Sequence, residues 1–135
     1  MGFFFRKKKK ILIVDDDAIS LIVVETILDH KYIVLPTNSG KEAIDYLLQG
    51  NIPDLILLDI IMPEMDGWET FNRIKDLGLI CNIPIAFLTS VHGKEEQERA
   101  REIGVADYIF KPFSSKELFK KVKRIIKKFP VIQGG

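Results

Sequence analysis

Leu55-Ile56-Leu57-Leu58-Asp59 is the stretch from which the fold is read: four apolar residues in a row, closed by one carboxylate. A run this short has the length of a strand, and an unbroken apolar sequence is what a strand buried on both faces requires. The same signature recurs outward along the chain. Residues 11–14 (Ile-Leu-Ile-Val), 32–35 (Tyr-Ile-Val-Leu), 83–88 (Ile-Pro-Ile-Ala-Phe-Leu) and 108–110 (Tyr-Ile-Phe) are further short runs rich in apolar, β-branched or aromatic residues. Longer segments of helical spacing lie between them, clearest where Leu118, Val122, Ile125, Ile126 and Phe129 share one face and lysines cover the other. The order is β-α five times over. It predicts an α/β fold, a five-stranded parallel sheet with right-handed crossovers and helices on both faces.

Helix starts are also written into the chain. Ser39 with Glu42, Asp66 with Glu69, and Ser114 with Glu117 each set a cap and its reciprocal partner three residues apart. The segment after Leu88 lacks this device and begins Thr89-Ser90-Val91-His92-Gly93, so its first turn is expected to be the loosest. Pro130 closes the last helical pattern. Residues 9–129 are therefore expected to form one domain between a basic flank (1–8) and a short tail (130–135), with no output domain following.

A chain of 135 residues with 47% hydrophobic content is long enough for one core and too short for two ordinary domains. The apolar runs are too short to span a bilayer, and the phenylalanine triplet at residues 3–5 precedes its basic run, the reverse of a signal peptide. Cys81 is the single cysteine, which excludes an intrachain disulfide and a cysteine-cluster metal site and agrees with a cytoplasmic location. The net charge of +1 conceals polarisation, because residues 6–10 and 116–128 hold more than half of the 20 basic side chains. Such runs read as solvated flanks, so neither direct DNA binding nor membrane contact is expected. The triplet beside its cations would give only weak, salt-sensitive binding to an anionic bilayer.

Polar residues interrupt the apolar runs at consistent places. Asp15 and Asp16 follow the first strand, Asp59 the third, Thr89 the fourth and Lys111 the fifth. In an open parallel sheet those carboxyl ends share one edge, where ligands bind at the point of reversed strand order. If the first and third strands are neighbours, Asp15, Asp16 and Asp59 converge, and near neutral pH such a cluster needs protons or a cation to offset its repulsion. Oxygens that leave room for water and a phosphate match Mg²⁺. A carboxylate beside that ion can attack phosphorus to give an acyl phosphate, with Lys111 supplying positive charge and Thr89 a hydroxyl donor to the phosphoryl oxygens.

The runs Ile-Leu-Ile-Val-Asp-Asp (11–16), Leu-Leu-Asp-Ile-Ile-Met-Pro-Glu-Met-Asp-Gly (57–67), Leu-Thr-Ser (88–90) and Tyr-Ile-Phe-Lys-Pro-Phe (108–113) resemble the response regulator receiver family of two-component signalling. The likeness, which extends over about residues 9–129, implies a flavodoxin-like sheet in the order 2-1-3-4-5. It implies that Asp59 accepts a phosphoryl group from a phosphohistidine of a sensor histidine kinase or histidine phosphotransfer protein. It further implies that Asp15, Asp16 and Asp59 hold Mg²⁺ with the Ile61 main-chain carbonyl, that Lys111 pairs with the phosphoryl group, and that the Lys111–Pro112 bond is cis. Thr89 and Tyr108 match the family's switch pair, through which a downstream protein target would sense phosphorylation. Ile61 and Val91 match the positions flanking the phosphoryl group, and their apolar bulk predicts slow phosphate loss. The expectation is a stand-alone signalling switch that catalyses only its own phosphorylation and slow dephosphorylation.

Two other readings carry less of the pattern. Asp15-Asp16-Asp17 has the nucleophile-plus-acid spacing of a haloacid-dehalogenase phosphatase, with Asp15 as nucleophile, but no later acidic pair in the usual arrangement. A flavin-binding relative would need phosphate donors where the first loop is acidic. His30 and His92 are isolated from metal partners, and Trp68 and Met65 are expected to pack. The first helix carries Ile19, Leu21, Ile22, Val23, Val24, Ile27 and Leu28, more than one core stripe. The surplus would dock a phosphodonor helix or lie under the N-terminal segment.

Overall fold

Strands β1 (Lys10–Val14), β2 (Ile33–Thr37), β3 (Leu55–Leu58), β4 (Ile85–Thr89) and β5 (Asp107–Phe110) alternate with helices in this computed structural model, which describes residues 7–78 and 82–131. The helices are α1 (Ala18–Leu28), α2 (Gly40–Leu48), α3 (Gly67–Asp76), α4 (Lys94–Ile103) and α5 (Ser115–Lys128). Every pairing is parallel, as the residue pattern predicts, and the order is β2-β1-β3-β4-β5, as the family resemblance implies. The triplet at residues 3–5, Arg6, Cys81 and the tail after Val131, on which expectations were placed above, lie outside the described residues.

A central parallel strand must bury both faces, and alternation of side chains divides its residues between two cores. Leu12, Val14, Ile56, Leu58, Ile85 and Phe87 pack with Ala43 and Leu47 of α2, Trp68, Phe71 and Ile74 of α3, and Ala100 of α4. Ile11, Ile13, Leu55, Leu57, Ala86 and Leu88 pack with Val24 and Leu28 of α1 and Leu118, Val122 and Ile125 of α5. Burying each of the larger side chains contributes about 1.5–3 kcal/mol, so the two cores together fix the sheet and the edge it presents.

The second strand begins one residue later than the sequence suggests and runs through Pro36. Tyr32 instead donates its amide to Leu28 O at the end of α1 (2.9 Å). Proline is tolerated because β2 is an edge strand paired only with β1. The three anticipated caps form: Ser39, Asp66 and Ser114 side chains accept from the amides of Glu42, Glu69 and Glu117. Asp17, read only as part of an acidic triplet, caps α1 by accepting from Ile19 N at 3.0 Å. Helix α4 starts at Gly93 with no side-chain cap and has Ala100 as its one buried residue, so little anchors its first turn.

Candidate functional site

The first carboxylates leave β1 at the sheet's carboxyl edge. Asp15 is buried, donates its amide to Thr37 O (3.1 Å) and accepts from Asp17 N through Oδ1 (2.9 Å), which holds its side chain in place. Asp16 beside it is exposed. Directly after β3, Asp59 donates its amide to Val14 O (3.0 Å), so the register of β1 and β3 brings the two strand ends together. One oxygen from each of Asp15, Asp16 and Asp59 falls within a 4.8 Å cluster. The predicted convergence of acids distant in sequence is therefore present.

Lys111 reaches the same place from β5. Its Nζ donates to Asp15 Oδ2 (2.6 Å), Asp59 Oδ2 (3.2 Å) and Ser20 Oγ (3.2 Å), and its peptide bond to Pro112 is cis. Burial pulls the Lys111 ammonium down, but the hydrogen bond it donates to Asp15 and the charges of Asp59 and Asp15 outweigh it, and the net shift is upward. The lysine thus stays charged, and three carboxylates face one ammonium. Asp59 is only 9% exposed, and its Oδ1 is buried without a hydrogen-bond partner among the described residues. An orphaned carboxylate oxygen in an acidic cluster is an acceptor site suited to a hard cation.

Thr89 ends β4, fully buried, and its Oγ1 accepts from Val91 N at 3.3 Å. On the neighbouring strand Tyr108 stands edge-on to Phe87 and its hydroxyl donates to Val91 O at 2.6 Å. Both residues of the anticipated pair thus meet the β4–α4 loop at Val91, and Thr89 O also accepts from Lys111 N (2.8 Å). Ile61 lies 62% exposed in the loop after β3. His92 is hydrogen-bonded to Lys111 O through Nε2 (3.0 Å) and, among the described residues, joins no acidic cluster, and Trp68 packs on Phe87.

Two site neighbours were not singled out from the sequence. Ser20 takes part in holding Lys111, and one serine on a helix carries no signal of that kind. Gly67 does carry one: a Cβ there would overlap Asp59 O and Ile60 Cα, while its amide donates to Ile60 O at 2.7 Å. Glycine at the first position of α3 lets the loop close against the backbone of Asp59.

The surplus apolar residues of α1 divide as the stripe argument requires. Val24 and Leu28 enter the core, whereas Ile19 (71%), Ile22 (62%) and Val23 are exposed. Among the described residues no helix is long and apolar enough to cross a membrane.

Comparison with known proteins places this geometry. A family model described as "Response regulator receiver domain" matches residues 11–123. A segment of the "Probable cyclic di-GMP phosphodiesterase" of Vibrio cholerae is 45% identical over 83 residues, 62% of this chain and 19% of that protein. The "Sensor histidine kinase CheAY" of Helicobacter pylori is 38% identical over 95 residues, 70% of this chain and 12% of that protein. The chain thus spans a minor part of these curated relatives' length. Among solved structures, the chemotaxis protein CheY4 of Vibrio cholerae superimposes with a TM-score of 0.81 at 28% identity, covering 88% of this chain and 99% of that one. The signal receiver domain of a histidine kinase from Syntrophus aciditrophicus gives 0.81 at 30%, covering 94% and 96%. With its strand order, its acidic edge and a family match over most of its length, the chain belongs to the response regulator receiver domain family.

Proposed function

We propose that Asp59 accepts a phosphoryl group from a phosphohistidine of a sensor histidine kinase or histidine phosphotransfer protein, in the cytoplasm and in a Mg²⁺-dependent reaction. The single observation that carries this reading is the state of the Asp59 carboxylate: one oxygen on Lys111, the other buried and unpartnered, beside Asp15 and Asp16. Asp15, Asp16, Asp59 and the Ile61 carbonyl would hold the ion, which when bound supplies charge to the phosphoryl oxygens. An Asp59 oxygen attacks phosphorus, the P–N bond to imidazole breaks, and the freed imidazole takes a proton from solvent. Lys111 holds Asp59 in position and offers its ammonium to an outer phosphoryl oxygen. Thr89 can turn its hydroxyl from the Val91 amide toward another, a small move inside a tightly packed site.

The exposed Ile19 and Ile22 of α1 support a docking role for that helix, since a phosphodonor helix could cover them while its histidine approaches the acidic edge. Rearrangement of the Thr89–Tyr108 pair and the lightly anchored start of α4 would then present a changed surface to a downstream protein. The chain would be a switch that catalyses its own phosphorylation and slow dephosphorylation and turns over no separate substrate. Intact-mass measurement tests the chemistry. With acetyl phosphate and Mg²⁺ the protein should gain one phosphoryl group, and Asp59→Asn should gain none; an Asp59→Asn protein that still labels at the same rate refutes the assignment.

A further inference from the structure

The phosphoryl chemistry leaves a second surface unused, between the C-terminal end of α1, beyond Ile19 and Ile22, and α5. A groove of about 510 Å³ opens there, with Ile27 and Phe119 among its apolar lining and His30, Lys116, Lys120 and Lys123 among its polar lining. That volume lies in the range of ligand-binding sites, which combine an apolar floor with a few polar groups. The Phe119 ring is held firmly. His30 stacks on it (5.5 Å, 10° between planes), Tyr32 leans against it at 6.0 Å, and Lys31 Nζ stands 5.5 Å from its centroid.

Charge singles out the occupant. No lining residue is acidic, and α5 as a whole carries seven basic side chains against Glu117 alone. Arg124 is already paired with Asp107 at 2.7 Å, whereas among the described residues no ion pair holds Lys116, Lys120 or Lys123. We propose that this groove docks an acidic peptide segment of a partner protein, with an apolar side chain seated against Phe119 and carboxylates facing the lysine rim. An aromatic-lined pocket ringed by charge gives such a segment both its anchor and its orientation.

Other occupants fit less well. A bilayer takes up apolar side chains that protrude, and here Ile27 and Phe119 are half-buried. The chain's own phenylalanine triplet is followed by five cations at residues 6–10, and a second copy would bring another lysine-rich α5; each would meet the rim with like charge. The proposal is independent of phosphorylation at Asp59, and its test uses the untreated full chain.

The probe is a fluorophore-labelled amphipathic peptide of glutamate and leucine around one central phenylalanine, titrated by anisotropy. The expected result is saturable binding that weakens with added salt and falls roughly tenfold when Lys120→Glu and Lys123→Glu are combined, as two attractions become repulsions. Both lysines are exposed and outside the acidic cluster, so a circular dichroism spectrum and a urea midpoint matching those of the unaltered protein show that the variant is folded. Equal binding of a lysine-for-glutamate peptide overturns the proposal, as does equal binding of one with serine for leucine and phenylalanine. Unchanged binding by the charge-reversed variant also overturns it. So does sedimentation of the protein with phosphatidylglycerol vesicles in the absence of any peptide binding, or self-association in place of it.

Discussion

The Tyr108 hydroxyl donates to the Val91 carbonyl across 2.6 Å, tying β5 to a loop that leads into the least anchored helix of the fold. Val91 N also donates to Thr89 Oγ1, so one residue joins the site's hydroxyl to the ring. Tyr108→Phe removes the hydrogen bond and keeps the contacts with Phe87 and Phe110. The expected loss is about 1 kcal/mol of global stability, with faster amide exchange confined to residues 90–96. Phosphorylation or a beryllofluoride mimic should change exchange across the same residues in the unaltered protein. Exchange there that ignores both perturbations would break the link between site and helix.

Charge balance gives the second prediction. Three carboxylates face the one Lys111 ammonium, which pairs with two of them. Asp16→Asn should weaken Mg²⁺ binding by an order of magnitude or more in calorimetry, because a carboxylate is lost from an already converged set. Lys111→Met should do the opposite and tighten it severalfold, since a cation competing for Asp15 and Asp59 disappears. The same substitution should slow labelling by acetyl phosphate. Tighter metal binding combined with slower chemistry separates electrostatic competition from simple damage to the fold; weaker binding by Lys111→Met contradicts the reading.

Ile61 and Val91 bear on the lifetime of the product. Neither side chain can orient a water, and Ile61 stands 62% exposed two residues beyond Asp59. The aspartyl phosphate should therefore decay slowly, and Ile61→Gln should speed its loss by roughly an order of magnitude or more through a positioned hydrogen bond to water. Decay followed by intact mass after removal of acetyl phosphate measures both rates. A half-life of seconds in the unaltered protein with Mg²⁺ present runs against this account.

Much of this architecture was legible from residue pattern because a parallel sheet imposes strong local rules. Leu55 through Leu58 had to be a doubly buried strand, and the carboxylate after it had to emerge at the sheet edge. Caps at Ser39, Asp66 and Ser114 were readable for the same reason: the partner lies three residues away. What stayed hidden depends on distant approach. Ser20 meets Lys111 from 91 residues away, and nothing near Ser20 in the chain records it. The groove around Phe119 arises where α1 and α5 converge, so a helical face that predicted only core and solvent also contained a recess. Gly67 lay within the quoted motif, but only the closeness of Asp59 O explains why it has no side chain. Gly67→Ala should thus lower stability and slow labelling of Asp59 together, although it touches no charged group.

The three tyrosines supply the last prediction. Burial raises Tyr32, Tyr46 and Tyr108 above the ordinary phenol value, and for Tyr108 the charges of Glu96 and Asp59 push in the same direction. A phenol whose folded pKa exceeds its unfolded one, about 10, binds its proton more tightly in the native state. The stability linked to that difference is fully present below about pH 10 and is lost as pH rises through the folded values. Tyrosinate absorbance should therefore rise at higher pH in native protein than in denaturant, and urea midpoints should fall once pH passes 10. Asp59→Asn removes one of the charges acting on Tyr108, so the native curve should move part of the way down. Coincident native and denatured titrations would show that these rings are not shielded as the packing requires, and an unmoved curve in Asp59→Asn would uncouple Tyr108 from the acidic edge.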